Sequence, residues 1–216
     1  MVDKRHRLGP ATRWAAALAG STLLACVREP VEDVCPAVGP GDLVITEIRG
    51  DQDGPDTWGE WVEVFNATTD VLDLRGLRVR MYRLDGGSMF DALLREYEVP
   101  VDPQEYAVIG HHDPARLPSF VDATIFTDFR GASGPRSLHP EGVIELYACN
   151  VEIDRVFYRG LPKTGTLALD GSTKPSADDN DDPERWCNDR TEPPTDGPQT
   201  QLGTPGTPGE ANPPCP

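Results

Sequence analysis

The sequence predicts an all-β protein built as a β-sandwich, and three observations carry that reading. Twenty-one glycines and twenty-two prolines in 216 residues break up any long helix. From Leu43 onward, apolar and β-branched runs of four to eight residues recur between turn residues. None of these runs keeps helical spacing over eleven or more positions. Many short strands with Gly/Pro punctuation favour two packed antiparallel sheets over a parallel α/β sheet.

The chain opens with Lys4, Arg5, Arg7 and Arg13, followed by an apolar run from Trp14 to Leu24. That run is shorter than the roughly 20 residues of a membrane-spanning helix, and it matches the apolar region of a secretory signal behind a basic start. It ends in Leu23-Leu24-Ala25-Cys26, which resembles the lipobox of bacterial lipoproteins. The resemblance implies cleavage after residue 25, lipidation of Cys26 and stable anchoring by several acyl chains. Val27 stands where an Asp would hold such a lipoprotein at the inner membrane, so the outer membrane is favoured. Residues 26–41 read as a Pro/Gly-containing tether.

The strands expected next are Leu43 to Arg49, Glu60 to Asn66, Val71 to Leu74, Leu77 to Arg83, Arg95 to Val99, Tyr106 to Gly110, Ala123 to Thr127, Gly142 to Ala148, Val151 to Tyr158 and Thr166 to Asp170. In Arg78-Val79-Arg80-Met81-Tyr82-Arg83 basic and apolar residues alternate at period two, giving one wet and one dry face. Ser88 to Leu94 reads either as a short helix or, with Gly86-Gly87 before it, as the return strand of a hairpin. Residues 42–170 thus form the sandwich. Residues 171–216 are Pro-rich and acidic with a single aromatic, Trp186. Such a segment cannot build its own core and is expected either to be disordered or to drape over the body, pinned near Trp186.

With Cys26 used for lipid, Cys35, Cys149, Cys187 and Cys215 remain, an even number suited to an oxidising compartment. Three connectivities are open. The expectation is Cys35 to Cys215, joining the two ends of the body, and Cys149 to Cys187, pinning the tail to a strand. The formal charge is −16. Removing residues 1–25 takes away four basic residues and one acidic residue and leaves −19. A chain so acidic repels the phosphate backbone, and no nucleic-acid partner is expected.

Three stretches carry a further resemblance. Leu43-Val44-Ile45-Thr46-Glu47-Ile48, Gly59-Glu60-Trp61-Val62-Glu63-Val64-Phe65-Asn66 and Leu72-Asp73-Leu74-Arg75-Gly76-Leu77 resemble the opening strands of the lamin-tail domain. Glu105 to Ile109 is similar to a middle strand of that family, and Trp186, Gly203-Thr204-Pro205-Gly206 and Asn212 are similar to its closing segment. The resemblance implies an immunoglobulin-like β-sandwich and an interaction module without catalytic residues. Leu77 departs from the large aromatic that bacterial members carry there.

Several clusters invite chemical readings. Asp51, Asp53 and Asp56 lie in one short loop and offer hard oxygens to a calcium ion, while the same Asp and Gly residues suit a solvated turn. Asp178, Asp179, Asp181 and Asp182 form a second acidic run. His111-His112-Asp113 holds ligand types, but neighbours on a strand point to opposite faces. Glu47 and Glu63 form a conceivable acid pair for glycoside hydrolysis; hydrogen bonding within the sandwich is the plainer role. Trp61 reads as core and Trp58 as a surface residue able to stack on sugar. Together these readings imply a non-enzymatic, lipid-anchored envelope protein whose sandwich is an interaction or structural module. The alternatives are a calcium-assisted binding module for a surface polysaccharide or an envelope protein, and an uncharacterised hydrolase.

Overall fold

A computed structural model describes residues 34–95, 98–111, 117–125, 138–192 and 202–216. The signal segment 1–25, Cys26 and the first part of the tether lie outside the described residues. Twelve strands run through the described chain: β1 (Leu43–Arg49), β2 (Trp61–Asn66), β3 (Leu72–Asp73), β4 (Leu77–Tyr82), β5 (Phe90–Leu93), β6 (Pro100–Val101), β7 (Tyr106–Gly110), β8 (Ala123–Thr124), β9 (Gly142–Ala148), β10 (Val151–Tyr158), β11 (Thr166–Leu169) and β12 (Trp186–Asp189). The one α-helix among the described residues, α1 (Ala177–Asn180), has four residues. The protein is all-β.

Six strands form one sheet in the order β12-β11-β1-β2-β7-β8, four form a second in the order β10-β9-β4-β5, and β3 pairs with β6. One apolar cluster draws on both large sheets. Leu43, Ile45, Ile48, Val62, Val64 and Ile109 come from the first, and Leu77, Val79, Ile144, Leu146, Ile153 and Val156 from the second. Removing such fully buried surface from water is the main favourable term in folding, about 25 cal/mol per Å² of apolar area.

Two bulges set which side chains reach that core. The register of β1 against β2 shifts between Ile45 and Glu47, so Thr46 is an extra residue and the inward alternation passes from Ile45 to Ile48. Glu47 and Arg49 are thereby turned to the outer face, beside Glu63 and Trp61. The register of β10 against β9 shifts likewise between Glu152 and Asp154, which keeps Ile153 and Val156 inside and places Glu152, Arg155 and Phe157 outside.

The second sheet resolves the Ser88–Leu94 ambiguity in favour of a strand. β5 pairs with β4 through Arg78↔Leu93, Arg80↔Asp91 and Met81↔Phe90, and Arg83 N–H donates to the Gly87 carbonyl across the turn. A seven-residue helix would leave most of its backbone groups without partners, whereas the hairpin satisfies them. Of the strand expected over Arg95–Val99, Arg95, Glu98 and Val99 lie between β5 and the short β6 and belong to neither; Glu96 and Tyr97 lie outside the described residues.

The body extends further toward the N-terminus than residue 42. Val38 joins the core, and Gly76, at φ +85°, has no room for a Cβ because the Val34 carbonyl lies against it. The disulfides differ from the expected pairing. They join Cys35 to Cys149 and Cys187 to Cys215. The reason is local. Val34 is docked at Gly76, just before β4, and Leu77 of β4 is the ladder partner of Ala148, so Cys35 is delivered to Cys149 in the β9–β10 turn. At the other end, Cys187 lies on β12 and the Cys215 amide donates to Asp170 at the end of β11.

Residues 171–192 add to the body. Ser176 caps α1 by accepting from the Asp179 amide, and Asp182 caps a 3-10 turn over Pro183–Arg185. β12 then closes the six-stranded sheet by pairing with β11.

Candidate functional site: a sealed acid pair beneath the C-terminal strap

The outer face of the six-stranded sheet carries an uncommon row of ionisable side chains. Glu47, Arg49 and Glu63 have no exposed surface, and Glu47 is the direct cross-strand partner of Glu63. Residues 202–216 cover them as a strap. The Thr166 hydroxyl donates to Glu47 Oε1, and the Thr207 amide donates to the same oxygen at 3.2 Å. The Thr46 hydroxyl and the Gly209 amide donate to Glu63 at 2.8 and 2.7 Å. Asn212 completes the seal by donating to the carbonyls of Thr46 and Leu169 at 2.9 and 3.0 Å.

Burial sets the ionisation of this pair. Desolvation pushes the Glu47 carboxyl up to about 8, against hydrogen bonds from Thr166 and Thr207 that favour the charged form. Glu63 is held well above the usual carboxylate range by burial first and by repulsion from Glu47 second. Gly206 permits the close approach of the strap. Its φ is +78°, and a Cβ there would collide with the Glu47 carboxyl and the Thr166 side chain.

Arg49 ties a third segment to the strap. Its guanidinium grips Asp56 with two hydrogen bonds, of 2.9 and 2.7 Å, and donates to the carbonyls of Thr204 and Gly59. A planar fork of this kind matches a carboxylate bidentately. Neither a protein-family model nor a curated protein matches this chain. Functional reading therefore rests on the geometry.

The loop expected to offer oxygens to calcium is tied down by protein contacts. Asp56 is held by Arg49, Asp51 reaches Lys163 at 3.2 Å, and the Asp53 amide donates to the Lys163 carbonyl. Among the described residues, no three His, Cys, Asp or Glu side chains gather as a metal site. In the second acidic run, Asp179 accepts from the Ser176 hydroxyl and Asp182 from the Glu184 amide, so both act in capping. His111 Nδ1 stands 4.0 Å from Glu60 Oε2; His112 and Asp113 lie outside the described residues.

Trp58 is not the surface platform expected. It is 5% exposed, with its ring 5.0 Å from that of Phe120, because the Arg49–Asp56 pair draws its loop onto the sheet. Trp61 is buried, in a small cluster with Val108 and Val121. The residues that sequence reasoning missed are Arg49, Thr166, Thr207 and the Asp154–Asn180 pair. Asp154 accepts from the Ile45 amide and from Asn180, each at 2.7 Å, and burial raises it to about 6. One signal in the sequence is the pair Gly203 and Gly206: a Cβ at either would collide with Asp56 or with Glu47 and Thr166, so each glycine marks where the strap backbone passes close to other groups.

Proposed function

We propose that this chain is a non-enzymatic, lipid-anchored envelope protein whose immunoglobulin-like, lamin-tail-like sandwich serves as an interaction or structural module. The observation that carries the reading is the sealed acid pair. The carboxyls best suited by sequence to acid–base chemistry, Glu47 and Glu63, are enclosed by the chain's own strap and bonded to Thr46, Thr166, Thr207 and Gly209. A general acid must come within hydrogen-bond reach of its substrate, and here that reach is taken up by the fold. Two disulfides suit the oxidising compartment that the lipobox-like Cys26 implies. The test is membrane fractionation of the full chain. The wild type is expected with the membranes and Cys26→Ser in the soluble fraction or unprocessed; a wild type that is soluble and carries no lipid mass would overturn the anchored reading.

A further inference from the structure

The two large sheets differ in what covers their outer faces. The strap closes the six-stranded sheet, whereas the four-stranded sheet presents side chains to solvent, with Phe157 54% exposed and the Arg78 and Arg155 side chains 38% and 41% exposed. Register places those side chains on a grid. One row across β5, β4, β9 and β10 reads Asp91, Arg80, Glu145, Arg155, alternating in sign. The next row toward the β9–β10 turn places Arg78 beside Tyr147, and Tyr147 beside Glu152. On the other side, Tyr82 and Phe157 flank Val143.

The planar groups are held in place. Arg78 and Arg80 share Asp91 at 2.7 and 3.3 Å, and Arg80 reaches Glu145 at 3.5 Å. The Tyr82 hydroxyl donates to Glu145 at 2.6 Å. The Arg80 guanidinium lies 4.7 Å from the centre of the Tyr147 ring, and that of Arg155 lies 5.1 Å from the centre of Phe157. Stacking of this kind orients a guanidinium and leaves donors at its edge for a ligand.

Charge decides the class of ligand. Arg78, Arg80 and Arg155 balance Asp91, Glu145 and Glu152, so the patch is neutral within a chain of formal charge −16. A polyanion meets no net attraction there and is repelled by the rest of the molecule. A sugar hydroxyl both donates and accepts, so vicinal hydroxyls can bridge an arginine and a carboxylate, while the apolar C–H face of a pyranose packs on an aromatic ring. Four strands span about 14 Å, enough for a short run of sugar rings. We propose that the outer face of the β10-β9-β4-β5 sheet binds an uncharged polysaccharide, with Phe157 and Tyr147 as stacking surfaces and Arg78, Arg155 and Glu152 as its polar contacts. The proposal rests on the interaction-module reading and names its ligand class.

The test is affinity electrophoresis of the full-length protein in neutral detergent, through native gels containing dextran, laminarin, mannan or hydroxyethylcellulose, with polygalacturonate as the anionic comparison. Retardation in at least one neutral glycan is expected. Phe157→Ala and Arg155→Ala should each weaken it by roughly tenfold, as at a ligand hot spot, while thermal unfolding shows both variants folded. Retardation in none of the neutral glycans, retardation in polygalacturonate alone, or unchanged retardation in both folded variants would overturn the proposal. Membrane fractionation of Cys26→Ser reads the anchored reading independently, so the two can fail separately.

Discussion

Arg49 and Asp56, seven residues apart, form a bidentate ion pair whose guanidinium is wholly buried and whose carboxylate is partly exposed. The pair folds the loop between β1 and β2 back onto the sheet, and through the Thr204 carbonyl it also holds the strap. Asp56→Ala leaves a buried cation without its partner and should cost about 3–5 kcal/mol in denaturant unfolding, because an uncompensated buried charge is the expensive case. Adding Arg49→Met to that variant should recover part of the loss. The same pair engages both carboxylate oxygens of Asp56, so excess calcium is expected not to shift the Tm; a clear rise would show a folded-state site.

The acid pair gives stability a definite dependence on pH. Glu47 is raised from an ordinary 4.5 to about 8 in the folded chain, and Glu63 is raised as well. Between those values the folded state binds more protons than the unfolded one, so unfolding free energy falls as pH rises. The contribution is complete below pH 4.5 and is lost as pH climbs through about 8; Asp154, raised to about 6, acts in the same direction. The Glu47→Gln, Glu63→Gln double variant cannot ionise at these positions and should show a flatter profile, with its largest relative gain above pH 8. Denaturant titrations across that range measure it, and a wild-type profile that rises with pH from 5 to 8 would contradict the burial argument.

Gly206→Ala probes how closely the strap lies on the acids. The substitution combines a left-handed backbone with a Cβ directed into Glu47 and Thr166. A cost of roughly 1–3 kcal/mol is expected, where Gly209→Ala, which has a similar φ but open space around its Cβ, should cost less. Equal losses at the two positions would mean that contact with Glu47 contributes nothing.

Much of the fold was legible because it follows from local pattern. β1, β7, β9 and β10 occupy the spans that alternation and turn residues marked. Alternation fails at the bulges, and these build the site. Strict period two places Glu47 and Arg49 on the same face as Ile45, toward the core; the extra residue Thr46 turns them outward to meet the strap. A bulge is settled by cross-strand packing, so no single strand's sequence announces it. The disulfide pairing escaped for the same reason. It depends on the docking of Val34 at Gly76 and of Cys215 at Asp170, contacts between segments that share no local pattern.

The two disulfides constrain different parts of the molecule, and their removal should be distinguishable. Cys35–Cys149 closes a separation of 114 residues and Cys187–Cys215 one of 28. Chain-entropy reasoning gives roughly 5 and roughly 3.5 kcal/mol for these loops. The larger figure belongs to the bond that fastens the N-terminal segment to the β9–β10 turn. The smaller belongs to the bond that fastens the strap to β12, and its local consequence should be sharper. In Cys187→Ser/Cys215→Ser the strap keeps its bonds to Glu47, Glu63 and Arg49 but loses its covalent end, so the amides of Thr207 and Gly209 should exchange with deuterium faster than in the wild type. Amides in the β4–β9 ladder, which the strap does not touch, should keep their protection relative to global unfolding. Equal acceleration in both places would mean that the strap opens only when the whole domain unfolds. Peptide mapping without reductant should recover the 35–149 and 187–215 pairs; a 35–215 linkage would restore the pairing first expected from the sequence.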